Sequence, residues 1–401
     1  MQTEQAVRAR LGSRYRKLWA ATAVSNLGDG VDATALPLLA ATLTRDPSLF
    51  AGVLVAGRLP WLLFPLHAGV LIDRVDRKRL IAATQVARGV LVAALVVTVI
   101  GGWASIWLLY GVAFLLGVGE VVVDIAHQVL VPHLVDTAHL ERANGRLFGA
   151  EIVANQFAGP PLGGLLFGVA AALPVFFDAA SFVVAGVVIA AIPGTYIAPR
   201  SDVPTKVRTD IGEGIRWLLG NRVLVTLVVV GAALNAVWMA GFATLALYAL
   251  EVLGIGGVGF GLLVATSGIG YIAGSFGAER VLPRFRRGDV LLAAVVSEVA
   301  LELAFGLALH VVVLALALAL VGYLAALWDV TAVSLRQTIV PDHLFGRVNS
   351  AYRFFQWVSM PLGAFAGGLL ADAFGLRGPW IAGAVVLSLV ALLSARSLRA
   401  A

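Results

Sequence analysis

Long apolar runs alternate with short polar or charged turns along the whole chain. The runs are 17 to 29 residues long. An α-helix needs about 20 apolar residues to cross a bilayer, with a range of about 17–25. A chain of 401 residues has room for twelve such runs. They cover residues 18–43, 50–72, 80–100, 106–131, 147–168, 174–192, 223–249, 258–282, 290–309, 311–339, 350–372 and 379–395. The pattern predicts an all-α membrane protein with twelve transmembrane helices.

Positively charged residues fall in every second turn. With the N-terminus placed inside, about 23 of the 29 Lys and Arg residues lie in cytoplasmic segments, whereas the outer turns hold Arg45 and Arg377. Short loops that are rich in Lys and Arg stay in the cytoplasm. The charge pattern therefore predicts a multi-pass protein of a bacterial-type inner (plasma) membrane, with both termini cytoplasmic.

The longest polar interruption covers residues 194–222 and separates two halves of similar length, residues 1–193 and 223–401. Its apolar positions recur with helical spacing and are Ile211, Ile215, Trp217, Leu218 and Leu219. We expect this cytoplasmic linker to form an amphipathic helix on the inner membrane face.

The two halves repeat residues in the same order. Gln128 and Pro132 return 209 positions later as Gln337 and Pro341. Transporters built from two parallel repeats bind their substrate near the midplane, where the repeats meet. The repeat therefore predicts two six-helix bundles related by a pseudo-two-fold axis, with a site between them.

Composition excludes several classes of protein. The chain is 60% hydrophobic, 13% charged and free of cysteine, so disulfides and thiolate metal sites are absent. The net charge is +6, and most of the Lys and Arg residues lie in loops between apolar runs. We therefore do not expect a nucleic-acid partner. The chain contains no His-Glu-x-x-His and no Walker lysine loop. We therefore predict neither an enzyme nor a requirement for a cofactor or metal.

Two acidic pairs lie inside predicted spans. Asp29 and Asp32 are three residues apart in the first span, and Glu120 and Asp124 are four apart in the fourth, so each pair shares a helix face. An acidic residue at membrane depth must form an ion pair, bind a proton or face water. By residue count, Asp29 and Glu120 lie at a similar depth. We predict that this cluster carries a coupling proton across the membrane.

The same residues also allow a structural explanation. Asp32 could pair with Arg58 of the second span, and Asp124 could pair with Arg88 of the third. Ion pairs between membrane helices satisfy both charges without moving a proton. Both interpretations remain open from the sequence.

The turn between the second and third spans carries a family signature. It reads GVLIDRVDRKRL from Gly69 to Leu80. This run resembles the loop between helices 2 and 3 of the major facilitator superfamily, although Asp76 stands where a second Gly is usual. The resemblance implies the two-bundle fold of that family and a gating role for Gly69, Asp73, Arg74 and Arg77. The change Asp73→Asn is then expected to impair transport without preventing membrane insertion.

The resemblance also implies that helices 1, 4, 7 and 10 line a central cavity. An apolar cavity with aromatic side chains and a few polar groups suits bulky amphipathic ligands. A tryptophan in a membrane helix is also commonly a packing residue or an interface anchor. The candidates for the substrate cavity are Asn26, Arg58, Gln128, Asn235, Trp238, Trp328 and Asp329.

The fifth span contains a run of small and kinking residues, from Gly159 and Pro160 to Gly163 and Gly164. It resembles the glycine and proline element of proton antiporters in the superfamily, although Asn155 stands where the first Gly is usual. Close packing of a kinked helix needs the same residues, so a purely structural role explains them equally well.

With the run from Ser25 to Asp29, these features resemble the branch that contains macrolide efflux proteins and the enterobactin exporter. The resemblance implies a secondary active transporter that exports hydrophobic or amphipathic compounds, such as macrolide-like drugs, in exchange for protons by alternating access. The alternatives are export of a specific natural product such as a siderophore, uptake of a metabolite by symport, or a lipid flippase. The expected partners are a small-molecule substrate, protons and the lipid bilayer, and we expect a monomer.

Overall fold

The computed structural model describes residues 11–136, 139–197, 207–308 and 310–399, with side chains at all of these positions except 66, 70, 73, 141, 207–211, 342 and 343. Within these ranges the regular structure is entirely helical, and twelve membrane helices, α1 to α12, form two halves of six.

The N-terminal half begins with α1 and ends with α6. Two of its helices are composite: α2 consists of three short helices, and α5 contains a central π-helix. The bounds are α1, Ser13–Leu43; α2, Pro47–Arg58, Pro60–Leu63 and Pro65–Arg74; α3, Arg77–Ile100; α4, Ile106–Leu130; α5, Leu140–Glu151, Ile152–Ala158 and Gly159–Val169; and α6, Ala172–Ala190.

The C-terminal half follows a linker helix, Val207–Gly220. Its first membrane helix is extended at the far end by a short turn, Leu245–Leu247, and a π-helix, Tyr248–Val252. The bounds are α7, Arg222–Phe242; α8, Gly257–Val281; α9, Arg287–Leu307; α10, Val311–Ile339; α11, Asp342–Phe374; and α12, Gly378–Arg399.

Ten of the described helices are long and apolar enough to cross a membrane. The other two spans are α1, which carries Asp29 and Asp32 in its middle, and α2, which is interrupted at Pro60 and Pro65. Proline cannot donate a backbone hydrogen bond and its ring clashes with the preceding turn, so each proline starts a new helical piece. The prediction of an all-α protein with twelve membrane helices is confirmed.

The same helix pairs recur in both halves. In the N-terminal half α1 packs on α5 and α6, α2 on α4, and α3 on α4 and α6. In the C-terminal half the corresponding pairs are α7 with α11 and α12, α8 with α10, and α9 with α10 and α12. The halves are joined by α2 against α11 and by α5 against α8, which are again equivalent pairs. The packing therefore follows the predicted pseudo-two-fold relation.

The two ends of the bundle differ in how the halves meet. We call the end that carries the linker helix the linker face, and the opposite end the far face. At the far face one buried cluster includes residues of both halves, among them Leu38, Phe50, Tyr248 and Phe260. At the linker face each half has a buried cluster of its own. The halves are therefore closed together at the far face and separate towards the linker face.

Small residues allow the far-face contact. A methyl group added at Gly164 would overlap the backbone of Gly257, and one added at Gly261 would overlap the carbonyl of Pro160. Helices that approach this closely need residues without side chains at the contact. An exposed ion pair, Arg45 with Glu251 at 3.1 Å, also joins the halves there.

The linker helix packs against the C-terminal half. Leu218 is buried in the linker-face cluster of that half, and Ile215 and Trp217 pack against the cluster. Glu213 forms an ion pair with Arg347 of α11 at 2.5 Å. The predicted helix is present, and Ile215, Trp217 and Leu218 contact protein, whereas Leu219 is exposed. The side chain of Ile211 lies outside the described set.

Candidate transport cavity

A cavity of about 420 Å³ lies at the middle of the bundle, between the two halves. Its N-terminal wall is formed by α1 to α6, and its C-terminal wall by α7 and α8. The charged side chains that line it all come from the N-terminal half, and they are Asp29, Asp32, Arg58, Arg88, Glu120 and Asp178.

Arg88 of α3 is the cation at the centre of the N-terminal wall. Its Nη2 donates to Asp29 Oδ1 at 2.8 Å, and its Nη1 donates to Gln85 Oε1 at 3.3 Å. Gln85 in turn donates to Ser25 Oγ at 2.9 Å, so α1 and α3 are joined by a buried polar chain. The guanidinium lies 3.9 Å from the ring centroid of Phe182, within the range of a cation–π contact.

Glycine on α4 makes room for this arginine. A methyl group at Gly119 would lie 2.8 Å from the aliphatic carbons of Arg88. Because ordinary carbon contacts are longer, any other residue at this position would displace the arginine side chain. The next residue on α4, Glu120, faces the cavity and lies 3.8 Å from Arg58 Nη1. That pair is half-exposed and looser than the pair of Arg88 with Asp29.

Asp178 of α6 was not recognised from the sequence. It lines the cavity but is 1% exposed, and its Oδ2 has no hydrogen-bond partner in the described part of the chain. Its neighbour across the helix contact is Gly28, where a methyl group would overlap Asp178 and Ser181. The signal was available, since Asp178 is an acidic residue inside the sixth apolar run.

The ion pairs differ from those of the structural explanation. That explanation paired Asp32 with Arg58 and Asp124 with Arg88, and both pairings are wrong: Arg58 lies near Glu120, and Arg88 binds Asp29. Asp32 faces the cavity without a cation within 4.0 Å among the described residues. Residue spacing indicated which acidic residues share a helix face, but not which residue of a neighbouring helix that face contacts.

Asp124 and Gln128 lie further along α4, beyond the cavity and towards the linker face, and both are exposed. Glu151 of α5 is also exposed. Acidic side chains thus continue from the cavity towards the end of the bundle where the halves separate.

Aromatic and aliphatic side chains form the C-terminal wall. Trp238 and Phe242 of α7 stack with ring centroids 5.5 Å apart, and Met239 lies between them in sequence. Ser267 of α8 is the polar residue of this wall among the described residues. One wall is therefore charged and the other is apolar.

Other candidates for the cavity lie elsewhere. Asn26 donates to the Thr22 carbonyl of its own helix at 2.9 Å, and Asn235 lies 2.7 Å from the side-chain amide of Gln356 on α11. Trp328 is buried in the linker-face cluster of the C-terminal half, so it is a packing residue in this conformation.

Asp329 accepts a hydrogen bond from the Tyr271 hydroxyl at 3.1 Å and is exposed. Thus, of the seven residues proposed for the substrate cavity, Arg58 and Trp238 line it in this structure.

The loop between α2 and α3 lies at the linker face. Gly69 and Arg74 belong to the last piece of α2, and Arg74 is exposed. Arg77 is buried and contacts His133 Nε2 at 3.3 Å, whereas the side chain of Asp73 lies outside the described set. The departure at Asp76 has a clear purpose: its carboxylate caps α3 by accepting from Arg79 N at 3.1 Å and also accepts from Tyr196 N at 3.2 Å.

The glycine and proline element of α5 lies at the contact of three helices. Gly159 and Gly163 face Gly30 and Val31 of α1, while Pro160 and Gly164 face α8 of the other half. The preceding seven residues form a π-helix, in which Gly159 N donates to Ala154 O. Prolines that lack an N–H disturb the regular α-helical bonding of the turn before them, which accounts for the wider turn.

No group of three or more His, Asp or Glu side chains suited to a metal ion occurs among the described residues. The charged groups of the cavity are instead carboxylates and guanidinium groups distributed over α1, α2, α3, α4 and α6, which suits pairing with a proton or an organic ion.

Residues 11–400 match the family described as transmembrane secretion effector, MFS_3. The chain belongs to the major facilitator superfamily. Curated relatives of this superfamily align along nearly their whole length. The multidrug efflux pump Tap of Mycolicibacterium fortuitum is 27% identical over 377 residues, which is 90% of each chain. Macrolide efflux protein A of Streptococcus pyogenes is 22% identical over 381 residues, or 91% of each chain.

Solved structures agree on the fold. The nucleoside transporter NupG superimposes with a TM-score of 0.76 at 12% identity, covering 96% of this chain and 99% of its own. A bacterial homologue of the human lysosomal transporter Spinster gives a TM-score of 0.75 at 14% identity, covering 96% of both chains. The resemblance to macrolide efflux proteins that was expected from the motifs is confirmed. This facilitator is a transporter, as these relatives are.

Proposed function

We propose that this facilitator exports hydrophobic or amphipathic compounds, such as macrolide-like drugs, in exchange for protons. The observation that carries the proposal is the cavity between the halves, where a wall of carboxylates and arginines faces the stacked rings of Trp238 and Phe242. An apolar ligand body would lie on the aromatic wall, and a polar or basic group of the ligand would meet the carboxylates.

Proton exchange is supported by the balance of charge in the cavity. Four carboxylates line it, from Asp29, Asp32, Glu120 and Asp178, whereas the lining cations are Arg58 and Arg88. Carboxylates without a cationic partner at membrane depth are most stable when they bind a proton. Binding and release of such a proton can be linked to opening at one side of the membrane.

The transport direction is supported by the names of the relatives, a multidrug efflux pump and a macrolide efflux protein. We assign the linker face to the cytoplasm, because the basic turns from Arg74 to Arg79 and from Arg280 to Arg287 lie there. The described conformation is then inward-facing, and the substrate enters from the cytoplasm. The proposal includes a gating role for Gly69, Asp73, Arg74 and Arg77. It also includes function as a monomer, in which the two halves of one chain enclose the transport path.

The proposal is tested by measuring accumulation of erythromycin and ethidium in cells with and without the protein. Lower accumulation that returns to the control level when an uncoupler collapses the proton gradient is expected. The variant Asp29→Asn should lose gradient-driven export, whereas Asp372→Asn, the same change at an exposed position on α11, should not. Export that persists without a proton gradient, or equal accumulation of every compound in a broad panel, would contradict the proposal.

A further inference from the structure

Arg88 contacts two helices, α1 and α6, that each carry a carboxylate in the cavity wall. It is bound to Asp29 of α1, and its guanidinium stacks on Phe182 of α6. Phe182 follows Asp178 by four residues, so the two share one face of α6. The same guanidinium that binds Asp29 is therefore held over the face of α6 that carries Asp178.

Both Arg88 and Asp178 have an unused polar atom. Arg88 bonds through Nη1 and Nη2, and its Nε has no partner among the described residues. Asp178 Oδ2 likewise has no partner in the described part of the chain. Since the two side chains are 6% and 1% exposed, water does not satisfy them freely. One unused donor and one unused acceptor are thus buried in the same wall of the cavity.

The charges around Asp178 leave it without a cation of its own. The helices packed on α6 are α1, α3 and α5. At this depth they contribute Asp29, Asp32 and Arg88, while the part of α5 in contact, Gly159–Val169, has no charged residue. Arg88 is already paired with Asp29. Ser181 Oγ donates to Asp178 Oδ1 at 3.5 Å, but a neutral hydroxyl does not replace a cation. A buried carboxylate without a cation is strongly unfavourable, which favours the protonated form of Asp178 while Arg88 is bound to Asp29.

We propose that Asp178 holds the proton that this transporter exchanges, and that Arg88 moves its ion pair from Asp29 to Asp178 when that proton leaves. The inference rests on the proposed function and deepens it by naming the proton carrier. In the step, the O–H bond of the Asp178 carboxylic acid breaks and its proton passes to water in the cavity. The new carboxylate then accepts from Arg88, which releases Asp29 to face the cavity.

The exchange links the proton to the substrate. A released Asp29 carboxylate can bind a basic or hydrogen-bond-donating group of the ligand, so ligand binding favours proton loss from Asp178. When Asp178 takes up a proton again from the other side, Arg88 returns to Asp29 and competes with the ligand. Proton and ligand then occupy the cavity alternately, which is the requirement for antiport.

Infrared spectroscopy of the purified protein tests the carrier without a substrate. The protonated carboxyl C=O band should contain a component at neutral pH that is lost when the pH is raised, and Asp178→Asn should remove this component. Asp29→Asn should also remove it, because the freed Arg88 would pair with an ionised Asp178. Arg88→Gln should keep it to higher pH, and Asp372→Asn should leave it unchanged.

This pattern distinguishes the proposal from its competitors. If Asp29 were the carrier, the component would be lost in Asp29→Asn and kept in Asp178→Asn, and the inference would be overturned. It would also be overturned if Arg88→Gln removed the component. Should Asp178→Asn fail to fold, Asp29→Asn and Arg88→Gln still give opposite expected results.

A transport measurement separates the two proposals. In vesicles, Asp178→Asn should lose erythromycin transport driven by a proton gradient. Exchange of labelled for unlabelled erythromycin should persist with a raised KM, because Arg88 stays on Asp29 and competes with the ligand. If Asp178→Asn transports erythromycin with the gradient as fast as the wild type does, Asp178 is not the proton carrier, and the proposed function is unaffected. If erythromycin transport by the wild type does not depend on the proton gradient, the proposed function is contradicted, whatever the infrared bands show.

Discussion

Asp29 of α1 and Trp238 of α7 are 209 positions apart, the repeat distance of the two halves, and both line the cavity. At the same place in the two repeats, one half therefore presents a carboxylate and the other an indole ring. Asn26 and Asn235 are related by the same distance, which supports this alignment. The two halves have kept the packing of their helices and have diverged in the chemistry of the wall that each presents.

The difference extends behind the walls. In the N-terminal half, Gly28 makes room for Asp178. Its counterpart in the C-terminal half is Val237, which packs against Gly383 of α12. At this contact the small residue lies on α1 in the N-terminal half and on α12 in the C-terminal half. Charge is thus concentrated in one half, and the other half provides an apolar surface for a ligand.

The C-terminal half still buries acidic residues, but away from the cavity. Glu302 of α9 is 2% exposed, and its Oε2 lacks a partner among the described residues. Glu298, one turn earlier, is also buried. Glu302 lies beside Gly383 of α12, and the burial of both glutamates excludes exposure to lipid in this conformation. Neither glutamate lines the cavity, which distinguishes them from Asp178.

Locking the halves together should have the largest effect. A methyl group at Gly168 would lie 3.4 Å from a side-chain carbon of Val258, so cysteines at these two positions are close enough for a disulfide across the far face. Because the chain has no cysteine, Gly168→Cys with Val258→Cys gives a single possible bridge. Oxidation should abolish erythromycin export and reduction should restore it. Full export by the oxidised double variant, with both single variants as controls, would show that the far face need not open.

Removing one buried ionisable group from each half should change the free energy of unfolding by different amounts. Arg88→Met leaves Asp29 without its partner and is expected to cost about 3 kcal/mol of unfolding free energy. Glu302→Gln removes an acid that has no cation within 4.0 Å among the described residues and should be neutral or stabilising. Thermal unfolding in detergent measures both. An equal loss of thermal stability in the two variants would mean that the paired Arg88 and the unpaired Glu302 contribute equally to stability.

Changes in the aromatic wall should alter affinity and leave coupling intact. Trp238→Ala removes the ring that stacks on Phe242 and should raise the KM for ethidium by about tenfold. Trp238→Phe keeps an aromatic surface and should retain most of the affinity. Both variants should still require the proton gradient. A loss of gradient dependence in Trp238→Ala would place coupling in the C-terminal half as well.

The exposed ion pair across the far face should matter least. Arg45→Ala breaks the contact with Glu251, and exposed pairs of this kind contribute about 0.2–1 kcal/mol. We expect a small increase in the export rate or no change, with the difference vanishing at high salt because ions screen the pair. A severe defect in this variant would assign closure of the far face to charge rather than to the glycine contacts.

The order of the helices, their repetition and most of the ionisable residues at membrane depth, Asp178 excepted, could be predicted from the sequence. Hydrophobic length and the side of each basic turn are local properties, and they fixed the twelve spans. The sequence also placed Asp29 and Glu120 at one level, and both line the cavity.

Partners could not be predicted in the same way. The pairing of Arg88 with Asp29 rather than Asp124 depends on how α3 is rotated against α1 and α4, which residue spacing does not specify. Space for Arg88 also depends on Gly119, and space for Asp178 depends on Gly28, each contributed by a different helix. Trp328 illustrates the converse case: its position in α10 was consistent with the cavity, but its side chain points into the core of its own half.

The π-helix Ile152–Ala158 has a consequence for motion. Residues Gly159 and Gly163 fix the far part of α5 against α1. A change of this wide turn to ordinary α-helical bonding would advance the part before it by one residue in register, a turn of about 100° around the axis. Glu151, the last residue before the wide turn, would then swing to a different side of the helix without any hinge between rigid halves.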